Sequence, residues 1–130
     1  MYSAITRDIL VTVSPFFLDD HSVPEESRFV WAYQVRIENR GEETVRLVAR
    51  HWILTDSSGR VQEVHGQGVV GEQPLLRPGE RFDYTSGTPL AAPSGLMRGT
   101  YEMEGADGER FRIEIPAFSL DSPYERPSFN

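Results

Sequence analysis

From Phe29 to Asn39 large apolar side chains recur at every second position: Phe29, Trp31, Tyr33, Val35 and Ile37 share one parity. Gln34, Arg36 and Glu38 fall on the other. An extended chain sends successive side chains to opposite faces, so this run reads as a strand with one face in a core. A helix would spread the same five residues around its circumference. A second strong run spans Thr44 to Thr55, beyond the turn Asn39-Arg40-Gly41-Glu42. Further strands are expected at Ile9–Val13, Arg60–His65, Arg81–Thr85, Gly95–Met103 and Glu109–Phe118. In the last of these, Phe111, Ile113 and Ile115 alternate with Arg110, Arg112 and Glu114.

Turn signals punctuate these runs at short intervals: Ser57-Ser58-Gly59, Arg77-Pro78-Gly79-Glu80, Pro93-Ser94-Gly95 and Ala106-Asp107-Gly108. Pro78-Gly79 suits the centre of a type II turn, where proline presets φ and glycine accepts a positive one. No segment carries a helical stripe flanked by caps. Seven or eight short strands so punctuated predict an all-β fold, an antiparallel β-sandwich of immunoglobulin or fibronectin-III type. A small closed barrel is the competing architecture. The chain of 130 residues is expected to form a single domain over residues 1–118, followed by a proline-containing tail over 119–130. Pro15 to Ser27 reads as an acidic loop.

Composition excludes several chemistries. There is no cysteine, and the 13 bases are all arginine, so thiolate metal sites, cysteine nucleophiles and lysine Schiff bases lack their key residue. A net charge of −7 opposes phosphate backbones, so no nucleic-acid partner is expected. The N-terminal residues resemble no secretory signal, and no apolar run approaches the length of a spanning helix. A cytoplasmic location and no membrane insertion are the expectations. No G-x-S-x-G elbow is present, and nothing singles out a catalytic pair among the 20 acids.

Gly66-Gln67-Gly68-Val69-Val70-Gly71 matches G-x-G-x-x-G, the dinucleotide-binding pattern. That pattern works by opening a helix whose N-terminus holds a pyrophosphate. Pro74 and Pro78 follow too closely for such a helix. Gly66, Gly68 and Gly71 therefore stand as candidate ligand-binding residues, set against a purely conformational role for the glycines.

Arg50-His51-Trp52-Ile53-Leu54-Thr55-Asp56 and the stretch from Gly66 through Gln73-Pro74 to Arg77-Pro78-Gly79-Glu80 resemble the ApaG family. Phe82-Asp83-Tyr84-Thr85-Ser86-Gly87 and Met97-Arg98-Gly99-Thr100-Tyr101-Glu102-Met103 extend the likeness over nearly the whole chain. The resemblance implies a fibronectin-III-like sandwich and an association with cobalt and magnesium tolerance or efflux. It brings no catalytic residues and no cofactor. Similar domains in F-box proteins and in a DNA-polymerase-delta-interacting protein imply recognition of a protein partner.

The histidines supply a candidate metal site. Asp56-Ser57-Ser58-Gly59 suits a three-residue hairpin loop closed by a left-handed glycine. Asp56 then lies opposite Arg60, His51 opposite His65, and Glu63 diagonal to His51 on the same face. Two imidazoles and a carboxylate suit cobalt, nickel or zinc, although a solvated cross-strand pair has the same sequence. Asp19-Asp20-His21 with Glu25-Glu26 lacks the spacing of a calcium loop and reads as solvated. The functional expectation is a non-enzymatic module that binds an unidentified protein partner. The alternative is a small-ligand binder, for a divalent metal or for a phosphate-containing molecule at the glycine-rich loop.

Overall fold

The computed structural model describes residues 1–125. Every strand expected from the alternation is present, and the described residues hold nine in all. They are β1 (Tyr2–Thr6), β2 (Ile9–Phe17), β3 (Phe29–Asn39), β4 (Val45–Asp56), β5 (Val61–Gln67), β6 (Leu75–Leu76), β7 (Arg81–Leu90), β8 (Gly95–Gly105) and β9 (Arg110–Leu120). One sheet has the order β1-β2-β3-β7, and the other has β5-β4-β8-β9 with β6 also on β4. All pairings are antiparallel. The two sheets pack face to face as a sandwich, as the strand pattern predicted.

The core is the sum of the inward parities. Phe29, Trp31, Tyr33, Val35 and Ile37 are all buried, as the alternation of β3 requires. Opposite them lie Leu47, Trp52 and Leu54 of β4, Met97, Tyr101 and Met103 of β8, and Ile113, Ile115 and Phe118 of β9. Aromatic rings meet across the gap: Tyr33 sits 5.5 Å from Trp52 and 5.9 Å from Phe118, at the tilted angles that ring quadrupoles favour. β1 and β2 also pack against β9, which closes that side of the sandwich. The opposite side leaves β5 at a free edge, where every residue except Gly66 is exposed.

In the first sheet three strands, β1, β2 and β7, differ from the sequence expectation, each for a reason of position in the sheet. β1 was not expected, because its turn to β2 carries no glycine; Arg7 and Asp8 themselves take the positive φ of 48° and 63° that a two-residue hairpin needs. Pro15, Phe16 and Phe17, expected in the acidic loop, continue β2. β1 begins opposite Val13, so beyond it β2 is an edge strand and tolerates a proline. β7 likewise runs past Thr85 to Leu90, because as an edge strand it accommodates Gly87 and Pro89 while pairing with β3. The remainder of the expected acidic loop holds two short 3-10 turns at Asp19–His21 and Pro24–Glu26.

β9 extends to Leu120, which is fully buried, so the sandwich takes in two residues expected in the tail. The next residues are tied down as well. Trp31 Nε1 donates to the Asp121 carbonyl at 2.8 Å, and Ser122 Oγ donates to the Pro93 carbonyl at 2.6 Å. Tyr124 packs its ring near Phe17 and Phe29. The rest of the expected tail, 126–130, lies outside the described residues.

Trp31 therefore joins the core to the chain end. Trp31→Ala should lose about 3–5 kcal/mol of unfolding free energy, the range for deleting a large buried aromatic. Chemical denaturation measures it, and a loss below about 1 kcal/mol would contradict the placement of this ring.

Candidate functional site

The β4–β5 hairpin is set by its turn. Asp56 N–H donates to the Arg60 carbonyl at 2.9 Å, and Gly59 N–H donates to the Asp56 carbonyl at 3.0 Å with Gly59 at φ 90°. The Asp56 carboxylate accepts from Ser58 Oγ at 2.6 Å, Ser58 N–H at 2.9 Å and Arg60 N–H at 3.1 Å. The Ser58 hydroxyl, with these two amides, holds the Asp56 pKa below its ordinary value. The resulting register places His51 directly opposite His65 and Glu63 opposite Ile53, as the turn chemistry predicted.

Parity sends Trp52 and Leu54 into the core and His51 and Ile53 to the outer face of the sheet. The two imidazoles stack, with centroids 4.0 Å apart and planes 13° from parallel. Glu63 reaches both rings: Oε1 lies 3.8 Å from His51 Nε2, and Oε2 lies 3.8 Å from His65 Nε2. Neither contact is a hydrogen bond. His51 Nε2 is shielded from solvent and has no hydrogen-bond partner among the described residues. On its other side β8 comes close, because Gly99 has no side chain; a Cβ there would stand 2.1 Å from the His51 carbonyl oxygen.

The glycine stretch is the end of β5 followed by a tight turn. Arg50 stacks its guanidinium over Gly66, where a Cβ would stand 2.6 Å from Cζ. Arg50 Nη1 donates to the carbonyls of Gln67 and Gly68 at 3.0 and 2.9 Å. Gly68 N–H donates to the Val48 carbonyl at 2.8 Å. Val69 and Glu72 exchange N–H donations at 2.8 and 2.9 Å around Val70 and Gly71, which take φ of 42° and 81°. A phosphate-binding loop needs free N–H groups at a helix start. Here no helix follows, and the amides of Gly68, Val69 and Glu72 are already engaged.

Two residues escaped the sequence reading. Arg50 was signalled by its parity, since a charge on the inward side of β4 needs an interior partner. Near it lie the phenols of Tyr33, Tyr84 and Tyr101, each pushed upward in pKa by burial, with the Arg50 charge a smaller opposing influence. Val70 had no signal. It is an exposed β-branched residue in the left-handed region, a strained position.

Two outcomes follow for this hairpin. Gly68→Ala should cost at least about 3 kcal/mol, because its Cβ would stand 2.1 Å from the Glu72 carbonyl oxygen as well as at φ 59°. Gly71→Ala meets open space and should cost only about 1–2 kcal/mol from its φ of 81°; thermal melts rank the two. Asp56→Ala should cost about 1–3 kcal/mol at neutral pH by leaving its donors unpaired. The Asp56 pKa is depressed, so its contribution is complete well above 3.8 and is lost as pH falls through the lower folded value. Wild type and variant stabilities should therefore draw closer in acid, as urea titrations at several pH values would record.

The ApaG domain family matches residues 19–105. Protein ApaG of Paramagnetospirillum magneticum is 66% identical over 130 residues, with 100% of each chain covered. Protein ApaG of Rhodospirillum centenum is 67% identical over 126 residues, 97% of each chain. Among solved structures, an ApaA protein from Bordetella pertussis superposes with a TM-score of 0.86 at 49% identity, over 91% of this chain and 96% of that one. Sequence and fold agree, and the chain belongs to the ApaG family.

Proposed function

We propose that this ApaG-family chain is a non-enzymatic interaction module that receives an extended segment of a partner protein along the free edge of β5. The observation that carries this reading is the edge itself. Asp56 and Arg60 form a hydrogen-bonded pair, and Gly68 N–H reaches Val48, so Gln62, Val64 and Gly66 spend their backbone groups on β4. Val61, Glu63 and His65 then present theirs outward, as strand addition requires, and the Gln67 carbonyl is already taken by Arg50. Neither a proline nor a lysine lies within β5, and among the described residues it pairs with β4 alone. Val61, Val64, Val70 and Leu75 add exposed aliphatic surface along it.

The net charge of −7 favours a protein partner over nucleic acid. On this reading the chain works in the cytoplasm without a cofactor, and it enters cobalt and magnesium tolerance, the role implied by the family resemblance, through the partner it docks. A phosphate ligand at the glycine loop has less support, because the Gly68, Val69 and Glu72 amides are committed to the turn. The small-ligand reading retains one specific observation in its favour, the convergence of His51, Glu63 and His65.

Val61→Pro removes an outward N–H without touching the β4 ladder, and Val70→Gly removes the exposed tip. Affinity capture from the native host should recover a defined protein with the wild type and lose it with each variant. Val70→Gly should also gain about 1 kcal/mol of stability, since glycine accepts the positive φ. Recovery of the same protein by both variants would remove the edge from the proposal.

A further inference from the structure

We infer that His51, Glu63 and His65 form a binding site for a divalent first-row transition ion of the zinc, nickel or cobalt type. Their donor atoms all lie within 4.8 Å of one another on the outer face of the β4–β5 hairpin. Two imidazole nitrogens and one carboxylate oxygen form a donor set of intermediate softness, which selects these ions over the oxygen-seeking magnesium and calcium.

The site is held by structure outside the three side chains. The Asp56 turn locks the register that puts His51 opposite His65, and a slip of one residue would send one of them to the other face. The bare Cα of Gly99 lets β8 back closely onto His51, which steadies that strand under the ring. His51 Nε2 is the most telling atom. It is shielded, without a hydrogen-bond partner among the described residues, and turned toward the Glu63 carboxylate at a distance too long for a hydrogen bond. An ion between them would satisfy both groups.

Closing the site requires small motions that the exposed partners allow. Metal–ligand bonds of about 2.0–2.2 Å place tetrahedral donors roughly 3.3–3.6 Å apart. The two Nε2–Oε separations of 3.8 Å must therefore contract by a few tenths of an ångström. The ring planes lie within 13° of parallel and each nitrogen lone pair lies in its own ring plane, so one ring must swing for both to converge on an ion. His65, with 68% of its side chain exposed, is the ring free to do so, and His51 is the fixed one. Three protein donors leave at least one coordination position open. The adjoining groove of about 390 Å³, lined by Thr100, Glu102 and Arg112, has room there for water or a further donor.

The site shares β5 with the strand-docking edge but uses side chains where docking uses backbone groups, so different variants test the two. Untagged full-length chain should take up one zinc ion saturably by calorimetry, and cobalt should produce visible ligand-field absorption. His51→Ala and His65→Ala should each weaken binding at least about tenfold. Glu63→Gln should weaken it less, and His21→Ala should leave it unchanged. His65→Ala alters a mostly exposed side chain, so unchanged melting of its metal-free form separates ligand loss from misfolding. The inference is overturned by no saturable uptake at submillimolar zinc, by uptake that survives both histidine variants, or by equal uptake of magnesium.

Discussion

β4 is hydrogen-bonded on both sides, to β8 along its length and to β5 and β6 on the other, so its parity governs everything placed on this sheet. A shift of one residue would exchange Trp52 and Leu54 for His51 and Ile53 at the core, and burying an imidazole in place of an indole is strongly unfavourable. The bulge at Leu47/Ala49 on β4 and the one on β9 between Ile115 and Phe118, opposite Met97/Gly99 of β8, adjust the ladder without disturbing the parity around His51. Core packing and the candidate metal site are thus two consequences of one register. Their faces differ, but neither can move without the other.

The sandwich handles its interior polar groups by satisfying them. Asn39, 1% exposed at the end of β3, donates from Nδ2 to the carbonyls of Glu43 and Leu76 at 2.8 and 3.0 Å and accepts from Gly41 N–H at 3.0 Å. Its backbone N–H and carbonyl engage Glu80 and Gly79. Side chain and backbone together let this one residue join β3, β6 and two loops, and a buried amide with these partners specifies that junction rather than weakening it. Arg50 does similar work at the end of β5. Its guanidinium fixes the carbonyls of Gln67 and Gly68 just before the strained turn at Val70. Tyr84 and Tyr101 pair their hydroxyls between the sheets, which keeps two buried phenols from being left without a partner.

The edges differ in how they are guarded. On one side β1 and β2 lean on β9, and Pro116 lies within that edge strand. β7 carries Gly87 and Pro89 along its outer half. β5 has neither device, and its exposed surface bears both the outward backbone groups and two of the three convergent ligands, Glu63 and His65. The concentration of unprotected features on one short strand distinguishes it from the rest of the surface.

By itself the sequence determined the sandwich class, the buried face of β3 and the pairing of His51 with His65. These follow from local rules: a period of two marks a half-buried strand, and a glycine-closed loop sets a hairpin register without help from distant residues. Tertiary structure alone decided where Pro15 and Pro89 were allowed, because edge position is a property of the sheet and not of the residue. It also decided the meaning of the glycine stretch, whose amides are engaged by Val48 from β4 and by each other. It anchored Asp121 on Trp31, a contact spanning 90 positions that no local pattern encodes. The hairpin register could be read because its partners are neighbours in the chain. The Arg50 clamp, the β1 edge and the fastening of the chain end depend on long-range packing, which exists only once both sheets have met.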